Sequence, residues 1–199
     1  MASRLLYLVR HGEAVGGDGE LSCVGRQQAV LTGERLSEVP FATIHHSTLP
    51  RAKQTAEEIA SRLPGVPVIA SELLRECVPS VPAEDVMPAE FADYFTGLSP
   101  EFLATDGPDQ AAAAVETFAG ASASDRRDLI VSHGNLIRWF VCHALSTPPS
   151  QWLSMADYHC GVTVILYRTD RSPVLVSYND VGHLPAELRG IEFKPEWRA

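Results

Sequence analysis

The sequence of 199 residues lacks any long apolar run, which argues against a membrane-spanning segment. No stretch approaches the ~20 consecutive apolar residues that cross a bilayer. The first apolar block, residues 5–9, is shorter than the core of a signal peptide and runs directly into Arg10 and His11. These absences lead us to expect a cytoplasmic protein that does not have a membrane as its partner.

Closely spaced cysteines and an excess of basic residues are also missing. The four cysteines lie far apart with no C-x-x-C spacing, so we expect neither a disulfide framework nor a structural zinc site. The 16 Lys and Arg residues face 25 Asp and Glu residues, and a nucleic-acid partner would need a basic face. The sequence leaves open whether the protein is a monomer or a homodimer.

A further absence is local. Between residues 77 and 125 there is no Lys, Arg or His, and nine Asp and Glu residues there account for the whole net charge of -9. Five prolines interrupt the first part of this segment: Pro79, Pro82, Pro88, Pro100 and Pro108. We interpret residues 77–108 as a Pro-rich acidic insertion, with a helix around residues 89–95, in a single domain covering residues 1–199.

Short apolar runs alternate with helical segments along the rest of the chain. The predicted strands are residues 4–9, 41–46, 66–70, 128–132, 162–167 and 174–178. The predicted helices are residues 23–38, 47–63, 110–121 and 136–145, with Ser47 as the N-cap of the second. This order predicts an α/β fold: a three-layer α/β/α sandwich with a mostly parallel sheet and one antiparallel edge.

Polar residues follow three of the predicted strands. Arg10 and His11 come after the first strand, Arg51 opens the helix after the second, and His133 follows residues 128–132. Ligands of open α/β sheets bind at the carboxyl ends of the strands, so these side chains should meet there. Arginine matches phosphate oxygens with its planar fork, and a neutral imidazole can carry a phosphoryl group. The sequence therefore predicts a phosphate site with a candidate nucleophile.

Glu76, just past the third predicted strand, is the candidate proton donor for a leaving alkoxide. Crowding with phosphate would raise its pKa towards the useful range. The alternative is a solvated ion pair with the adjacent Arg75. We expect His45 and His46 to be structural or to lie at the rim, because neighbouring strand residues point to opposite faces. His159 stands too isolated in the sequence for a metal site.

Ordered motifs across the chain resemble the histidine phosphatase (phosphoglycerate mutase-like) superfamily. The matching blocks are Leu8-Val9-Arg10-His11-Gly12-Glu13, Leu21-Ser22 with Gly25-Arg26-Gln27 and Ala29, Ser47-Thr48-Leu49 with Arg51-Ala52 and Gln54-Thr55-Ala56, Leu74-Arg75-Glu76, and Val131-Ser132-His133-Gly134-Asn135. Residues 73–82 and 135–153 are most similar to the branch of the family that contains the mitochondrial serine/threonine phosphatase.

The resemblance implies a role for each matching residue. His11 would be the phosphorylated nucleophile, and Arg10, Arg51 and His133 would form the phosphate pocket. Glu76 would protonate the leaving group, and the backbone near Gly134 would face the phosphate. No metal and no other cofactor is implied.

The function that we expect is a metal-independent phosphatase that hydrolyses phosphomonoesters on phosphoprotein or on a small molecule. The alternatives are a phosphoglycerate mutase-type phosphotransferase and a non-catalytic module that binds phosphate or a partner. Gly16-Gly17 stands where mutases usually carry an asparagine, and a Pro-rich stretch replaces their Gly-rich one. A binding module would have no need of the proton donor Glu76.

The acidic segment yields a prediction about substrate choice. If its first part covers the pocket, an anionic rim lies above a cationic floor, and monophosphates on neutral or cationic carriers should be preferred to bisphosphates. Added salt should improve relative turnover of polyanionic substrates by screening the rim. Steady-state kcat/KM values at low and high salt measure both effects. Bisphosphates that are the best substrates at low salt would refute the idea of an acidic lid.

Overall fold

One mixed sheet forms the centre of the protein. The computed structural model describes residues 2–16, 19–83, 87, 91, 93–99, 103, 106–191 and 193–198. The strands in this part of the chain are β1 (Ser3–Arg10), β2 (Thr43–Ser47), β3 (Val68–Ser71), β4 (Arg126–Ser132), β5 (Val162–Arg168) and β6 (Arg171–Asp180). Their order across the sheet is β3-β2-β4-β1-β5-β6. The first four are mutually parallel, and β5 is antiparallel to both β1 and β6.

Helices cover both faces of the sheet, which confirms the predicted α/β class. The four longest are α1 (Cys23–Leu36), α2 (Pro50–Ala60), α3 (Gly107–Phe118) and α4 (Gly134–Leu145). Apolar residues of α1 and α2 pack on one face, and those of α3 and α4 pack on the other. Within the described ranges, no helix combines the length and the apolar character needed to cross a bilayer.

Strand β1 is central, and its alternation divides the functional residues between the two faces. Leu6 and Leu8 are fully buried against α3 and α4, whereas Val9 packs on the side of α1 and α2. Side chains of successive strand residues point to opposite faces. Arg10 therefore leaves the strand on the α4 side, and His11 follows on the α2 side.

Two details of the predicted fold are wrong. Ser47 ends β2 and does not cap α2, which begins at Pro50 with Leu49 as an N-cap that makes no side-chain hydrogen bond. The antiparallel strand is β5, one position in from the edge, and not the edge strand itself. A short hairpin with Asp170 at a φ of 61° returns the chain from β5 to β6, so β6 takes the edge.

The predicted acidic insertion lies partly outside the described residues, as do residues 89, 90 and 92 of the helix expected around residues 89–95. The described part contains a 3₁₀ turn, Asp93–Phe95, whose Phe95 packs in an apolar cluster with Val78 and Trp152. Glu84, Asp85, Glu90 and Glu101 are outside the described residues. The acidic lid therefore stays a prediction.

Two glycines allow the loop after β1 to cross the start of α1 in direct backbone contact. A Cβ on Gly25 would lie 2.0 Å from the carbonyl oxygen of Glu13, and one on Gly12 would lie 2.5 Å from the carbonyl oxygen of Gly25. The Oγ of Ser22 accepts a hydrogen bond from the Gly25 N–H at 2.9 Å, which caps α1 at this crossing. The loop that carries His11 is thus pressed against a helix end.

We expect Gly25→Ala to destabilise the fold, because the added methyl group must displace backbone and not a flexible side chain. The cost should be about 1–3 kcal/mol in the free energy of unfolding, measured by urea denaturation. The matched control is Gln27→Ala at an exposed position of the same helix, which should change stability by less than about 0.5 kcal/mol. Equal stabilities of the two variants would contradict the tight crossing.

Candidate active site

His11 is buried at the end of β1, and its two ring nitrogens have different partners. Nδ1 lies 2.7 Å from the carbonyl oxygen of Gly12, which can only accept a hydrogen bond. The Nε of Arg51 donates to Nε2 of His11 at 3.0 Å. Both contacts require the neutral ring with its proton on Nδ1. Nε2 is therefore the unprotonated nitrogen, and its lone pair accepts the hydrogen bond from Arg51.

The surroundings of His11 keep its imidazole uncharged. Burial, followed by the neighbouring His133 and Arg10, lowers the pKa of His11 well below its ordinary value. The ring centroids of His11 and His133 are 5.0 Å apart. A neutral imidazole is the form that can act as a nucleophile at neutral pH.

Helix α2 holds Arg51 and braces the His11 loop. Arg51 is buried in the first turn of the helix, where Pro50 begins it. The Oγ1 of Thr55, one turn later, accepts a hydrogen bond from the Gly12 N–H at 3.0 Å and donates to the carbonyl of Arg51. The same turn of α2 therefore positions both Arg51 and the loop that carries His11.

His133 lies at the junction of β4 and α4. Its Nε2 is 2.8 Å from the Oγ of Ser47, so the residue expected to cap α2 instead contacts the site. Burial, with Arg51 and Arg10 nearby, lowers the pKa of His133 well below its ordinary value. Its Nδ1 is buried and has no hydrogen-bond partner among the described residues.

A cavity of about 520 Å³ opens beside these histidines on the α4 side of the sheet. It is lined by Arg10, Glu76, Tyr94, Gly134, Asn135, Arg138, Leu153, Met155, Ala156, Asp157 and Phe193. The cavity thus joins two of the predicted cationic and acidic residues to a wall of apolar and aromatic side chains. Gly134, whose backbone was expected to face a phosphate, lies at its edge where α4 begins.

Glu76 is placed in this cavity and not in an ion pair with its neighbour. Arg75 is directed outward and contacts Glu72 at 3.1 Å, which rules against the solvated pair considered from the sequence. Burial raises the pKa of Glu76 to about 7, against the opposing effects of Arg10 and Arg138. A carboxyl group with this pKa can hold a proton at neutral pH and release it to a leaving oxygen.

The structure brings a third histidine, His159, to the site, which the sequence did not indicate. The ring centroid of His159 is 5.3 Å from that of His11, and His159 is buried. The backbone of the next two residues pairs with Arg10, because the Cys160 N–H donates to the Arg10 carbonyl at 3.0 Å. His159 reaches the site because β5 runs antiparallel to β1, so the residues just before β5 lie beside the end of β1. Knowledge of that strand direction would have been needed to predict it.

Arg138 and Asp157 are the other cavity residues that sequence reasoning missed. The Nε of Arg138 is 3.5 Å from Oδ1 of Asp157 and 3.1 Å from the carbonyl oxygen of Gly134. Its other nitrogens donate to the carbonyls of Met155 and Trp152 and to the Asn135 side chain. Arg138 therefore ties the loop before β5 to α4.

The contacts of His45, His46 and His143 lie elsewhere in the structure. His45 packs on Phe118, with ring centroids 5.1 Å apart, and His143 is exposed on α4. His46 is buried, and its Nδ1 contacts the Ser47 carbonyl at 2.8 Å. Among the described residues, no group of three or more His, Cys, Asp or Glu is placed to hold a metal ion.

Taken together, the geometry suits a phosphate-sized dianion. Arg10 and Arg51 lie near a histidine whose pKa is lowered, and a carboxyl group whose pKa is raised to about 7 lines the adjoining cavity. Guanidinium groups stabilise the negative oxygens of a transferring phosphoryl group, and a nearby acid serves its leaving group.

Comparisons with known proteins agree with this chemistry. The family model "Histidine phosphatase superfamily (branch 1)" matches residues 6–181. The mitochondrial serine/threonine-protein phosphatase Pgam5 of Caenorhabditis briggsae is 34% identical over 190 residues, covering 92% of this chain and 65% of its own. Its counterpart in Xenopus tropicalis is 32% identical over 197 residues, covering 94% and 68%. The chain thus spans about two thirds of the length of these relatives.

Solved structures show the same fold. A phosphoglycerate mutase from Plasmodium falciparum has a TM-score of 0.64 and 28% identity, covering 93% of this chain and 96% of its own. Bacillus stearothermophilus YhfR has a TM-score of 0.67 and 28% identity, covering 90% and 98%. These neighbours confirm the phosphoglycerate mutase-like architecture expected from the sequence.

The comparison corrects one expectation. The Caenorhabditis and Xenopus relatives are named as mitochondrial proteins, so the prediction of a cytoplasmic protein is wrong by this finding. That prediction rested on the absence of an apolar run long enough for a membrane span or a signal peptide. Such an absence does not determine the compartment of a protein.

The raised pKa of Glu76 yields a stability prediction. The unfolded chain ionises this carboxyl near its ordinary value of 4.5, whereas the folded chain keeps the proton until about pH 7. Wild-type stability therefore falls as pH rises through this window, and Glu76→Gln should remove that loss. We expect the variant to be more stable than wild type by roughly 1–3 kcal/mol at pH 8, but not at pH 4.

Urea denaturation at both pH values measures this effect. Glu116→Gln, at an exposed position of α3, is the control and should change stability by less than about 0.5 kcal/mol at either pH. A Glu76→Gln variant that is less stable than wild type at pH 8 would show that Glu76 is an ionised structural group.

Proposed function

The chain belongs to the histidine phosphatase superfamily, and we propose that it hydrolyses phosphomonoesters through a phosphohistidine intermediate on His11. The observation that carries the proposal is the pair of contacts at the His11 ring. The Gly12 carbonyl holds the Nδ1 proton, so Nε2 is the unprotonated nitrogen, and its lone pair accepts a hydrogen bond from Arg51 in a buried cationic pocket. Without that arrangement, the imidazole would be a phosphate ligand and not a nucleophile.

In the first step, Nε2 of His11 attacks phosphorus. The bond from nitrogen to phosphorus forms as the bond from phosphorus to the ester oxygen breaks, and Glu76 gives its proton to that leaving oxygen. Arg10, Arg51 and His133 stabilise the charge on the three phosphoryl oxygens that do not react. Because side chains supply this positive charge, the proposed reaction needs no metal ion.

In the second step, water replaces the alcohol. Glu76, now a carboxylate, accepts a proton from water as the water oxygen attacks phosphorus. The bond between phosphorus and Nε2 breaks, phosphate leaves, and His11 returns to its neutral form with Glu76 protonated. A pKa of about 7 lets one carboxyl group serve as acid and then as base.

The substrate class that we propose is a phosphomonoester with a single phosphate, on phosphoprotein or on a small molecule. The curated relatives are serine/threonine-protein phosphatases, which supports the protein alternative. The apolar and aromatic cavity wall, with Tyr94, Leu153 and Phe193, supports a leaving group of low charge.

A mutase-type phosphotransferase is the second candidate, because a neighbouring fold is that of a phosphoglycerate mutase. Such an enzyme must hold a second phosphate group of its substrate while the substrate changes its orientation in the site. The arginine on the cavity wall beside Arg10 is Arg138, and its nitrogens donate to loop carbonyls and to Asn135. Because Arg138 already makes these hydrogen bonds within the protein, we favour the hydrolase over the mutase.

We expect His11→Ala to lower kcat for 4-nitrophenyl phosphate by at least about 10³-fold, because the covalent step loses its nucleophile. Rapid alkaline quench of wild type with ³²P-labelled substrate should trap phosphate on the protein that is stable in alkali and labile in acid, and the variant should trap none. His143→Ala, at an exposed position of α4, is the matched control and should keep wild-type turnover.

Turnover of His11→Ala within about tenfold of wild type would end the proposal of a phosphohistidine enzyme. Phosphate binding without turnover in the wild type would favour the binding module instead. Transfer of the trapped phosphate to phosphoglycerate, faster than to water, would favour the mutase.

A further inference from the structure

Asp157 is a buried carboxylate whose position has a cost that no packing contact explains. The residue is 4% exposed, and its Oδ2 is buried without a hydrogen-bond partner among the described residues. An unpartnered oxygen of this kind costs folding free energy, so its retention calls for a role.

Contacts on both sides hold Asp157 in place. Arg10 donates to its main-chain carbonyl, and the N–H of the following Tyr158 donates to the side chain of Asn179 at 2.8 Å. The Nε of Arg138 lies 3.5 Å from its Oδ1. The first two contacts fix the backbone at Asp157, and rotation of the carboxylate away from the cavity would break its contact with Arg138.

The carboxylate also lies against the first residue of α4. A Cβ on Gly134 would come within 2.9 Å of Oδ1 and 3.4 Å of Oδ2 of Asp157. Gly134 therefore leaves the room that this side chain occupies. Both residues line the 520 Å³ cavity, together with Glu76.

Glu76 and Asp157 are thus two carboxyl groups on one small cavity. Two carboxylates that share a site disfavour each other's ionisation. Asp157 has the guanidinium of Arg138 3.5 Å away. Glu76 makes one described hydrogen bond, from the N–H of Cys77 at 3.3 Å, and burial raises its pKa, so it is the group on which we place the proton.

We propose that Asp157 is a positioning residue of the phosphatase reaction, whose fixed negative charge keeps the proton on Glu76 until the leaving oxygen takes it. The inference rests on the proposed function, because it assigns Glu76 as the acid. Asp157 touches neither the phosphorus nor the nucleophile, and it acts through Glu76.

Several other groups face Glu76 and must be weighed with Asp157. They are Arg10 from β1, Arg51 from α2, Arg138 from α4, and the neighbouring Cys77 and Tyr94. The three guanidinium groups favour the ionised form of Glu76, and Asp157 opposes them. Burial is the largest cause of the raised pKa of Glu76, and Asp157 adds to it against the cations, so removal of Asp157 should lower this pKa.

The test is Asp157→Asn, which keeps the size of the side chain and an oxygen for Arg138 but removes the charge. Titration of ¹³C-labelled glutamate by NMR should show the Glu76 midpoint falling from about 7 by about 0.5–1.5 units. The basic limb of kcat/KM against pH for an alkyl phosphate should fall by the same amount. At pH 8 this lowers turnover about 3–30-fold.

A good leaving group separates this effect from general damage. 4-Nitrophenolate leaves without a proton, so kcat for 4-nitrophenyl phosphate should stay within about twofold of wild type. Asp157→Glu restores the charge and should bring the basic limb back towards the wild-type pH, which covers the case that the Asn variant is distorted. Asp170→Asn, at an exposed hairpin position with a φ of 61°, is the matched control and should change neither limb.

An unmoved Glu76 midpoint in a folded Asp157→Asn variant overturns the inference. So does a selective rise of KM for aminoalkyl phosphates with the pH profile unchanged, because Asp157 would then bind the substrate directly. The NMR titration requires no turnover, so it separates this inference from the proposed function. If the Glu76 titration contradicts this inference, the result of the His11→Ala experiment is not affected. If the wild type proves inactive, the Glu76 midpoint can still be measured by NMR.

Discussion

The hydrogen bond between Nδ1 of His11 and the Gly12 carbonyl determines what the rest of the site can do. It fixes the tautomer, and the tautomer decides which nitrogen can meet phosphorus. That bond depends in turn on the path of the loop after β1. Gly25 admits this loop to backbone contact with α1, and Thr55 holds it from α2. Elements on one face of the sheet thus position a single proton.

The cavity that contains Glu76 lies on the other face of the sheet. Arg10 leaves β1 there and lines this cavity together with Glu76, Asp157 and the guanidinium of Arg138. Such a cluster is expensive to bury, because every charge loses water and must find a partner. Arg138 carries much of that burden by bonding to main-chain carbonyls of the loop before β5. Nucleophile and acid are therefore built on opposite sides of β1 and meet only at its end.

The sequence predicted those parts of the site that follow parallel strands. Arg10, Arg51, Glu76 and His133 each come just after such a strand, so the topological rule for α/β sheets brings them together. The class of fold and the ends of most strands followed from the apolar runs in the same way. Parallel order is itself a consequence of helical crossovers, which the helical pattern between the strands makes visible.

The parts of the site that the sequence did not reveal depend on the direction in which strands pair and on contacts between residues that are far apart in the chain. His159 and Asp157 reach the site because β5 runs antiparallel to β1, and nothing in the apolar pattern of a buried strand records its direction. Ser47 looked like a helix cap, because the same residue type serves at a strand end, where its Oγ contacts His133. Strand direction and side-chain partner are tertiary properties, decided by packing.

The loop tied down by Arg138 has a consequence for how proteins with this architecture could diversify. The same short segment contributes Met155 and Ala156 to the wall of the cavity that contains Glu76, and Asp157 to the surroundings of that carboxyl group. A change that reshapes the wall for a bulkier alcohol also moves the charge beside Glu76. New substrate preferences and new pH optima would then arise together, and a lineage that acquired one would have to compensate for the other.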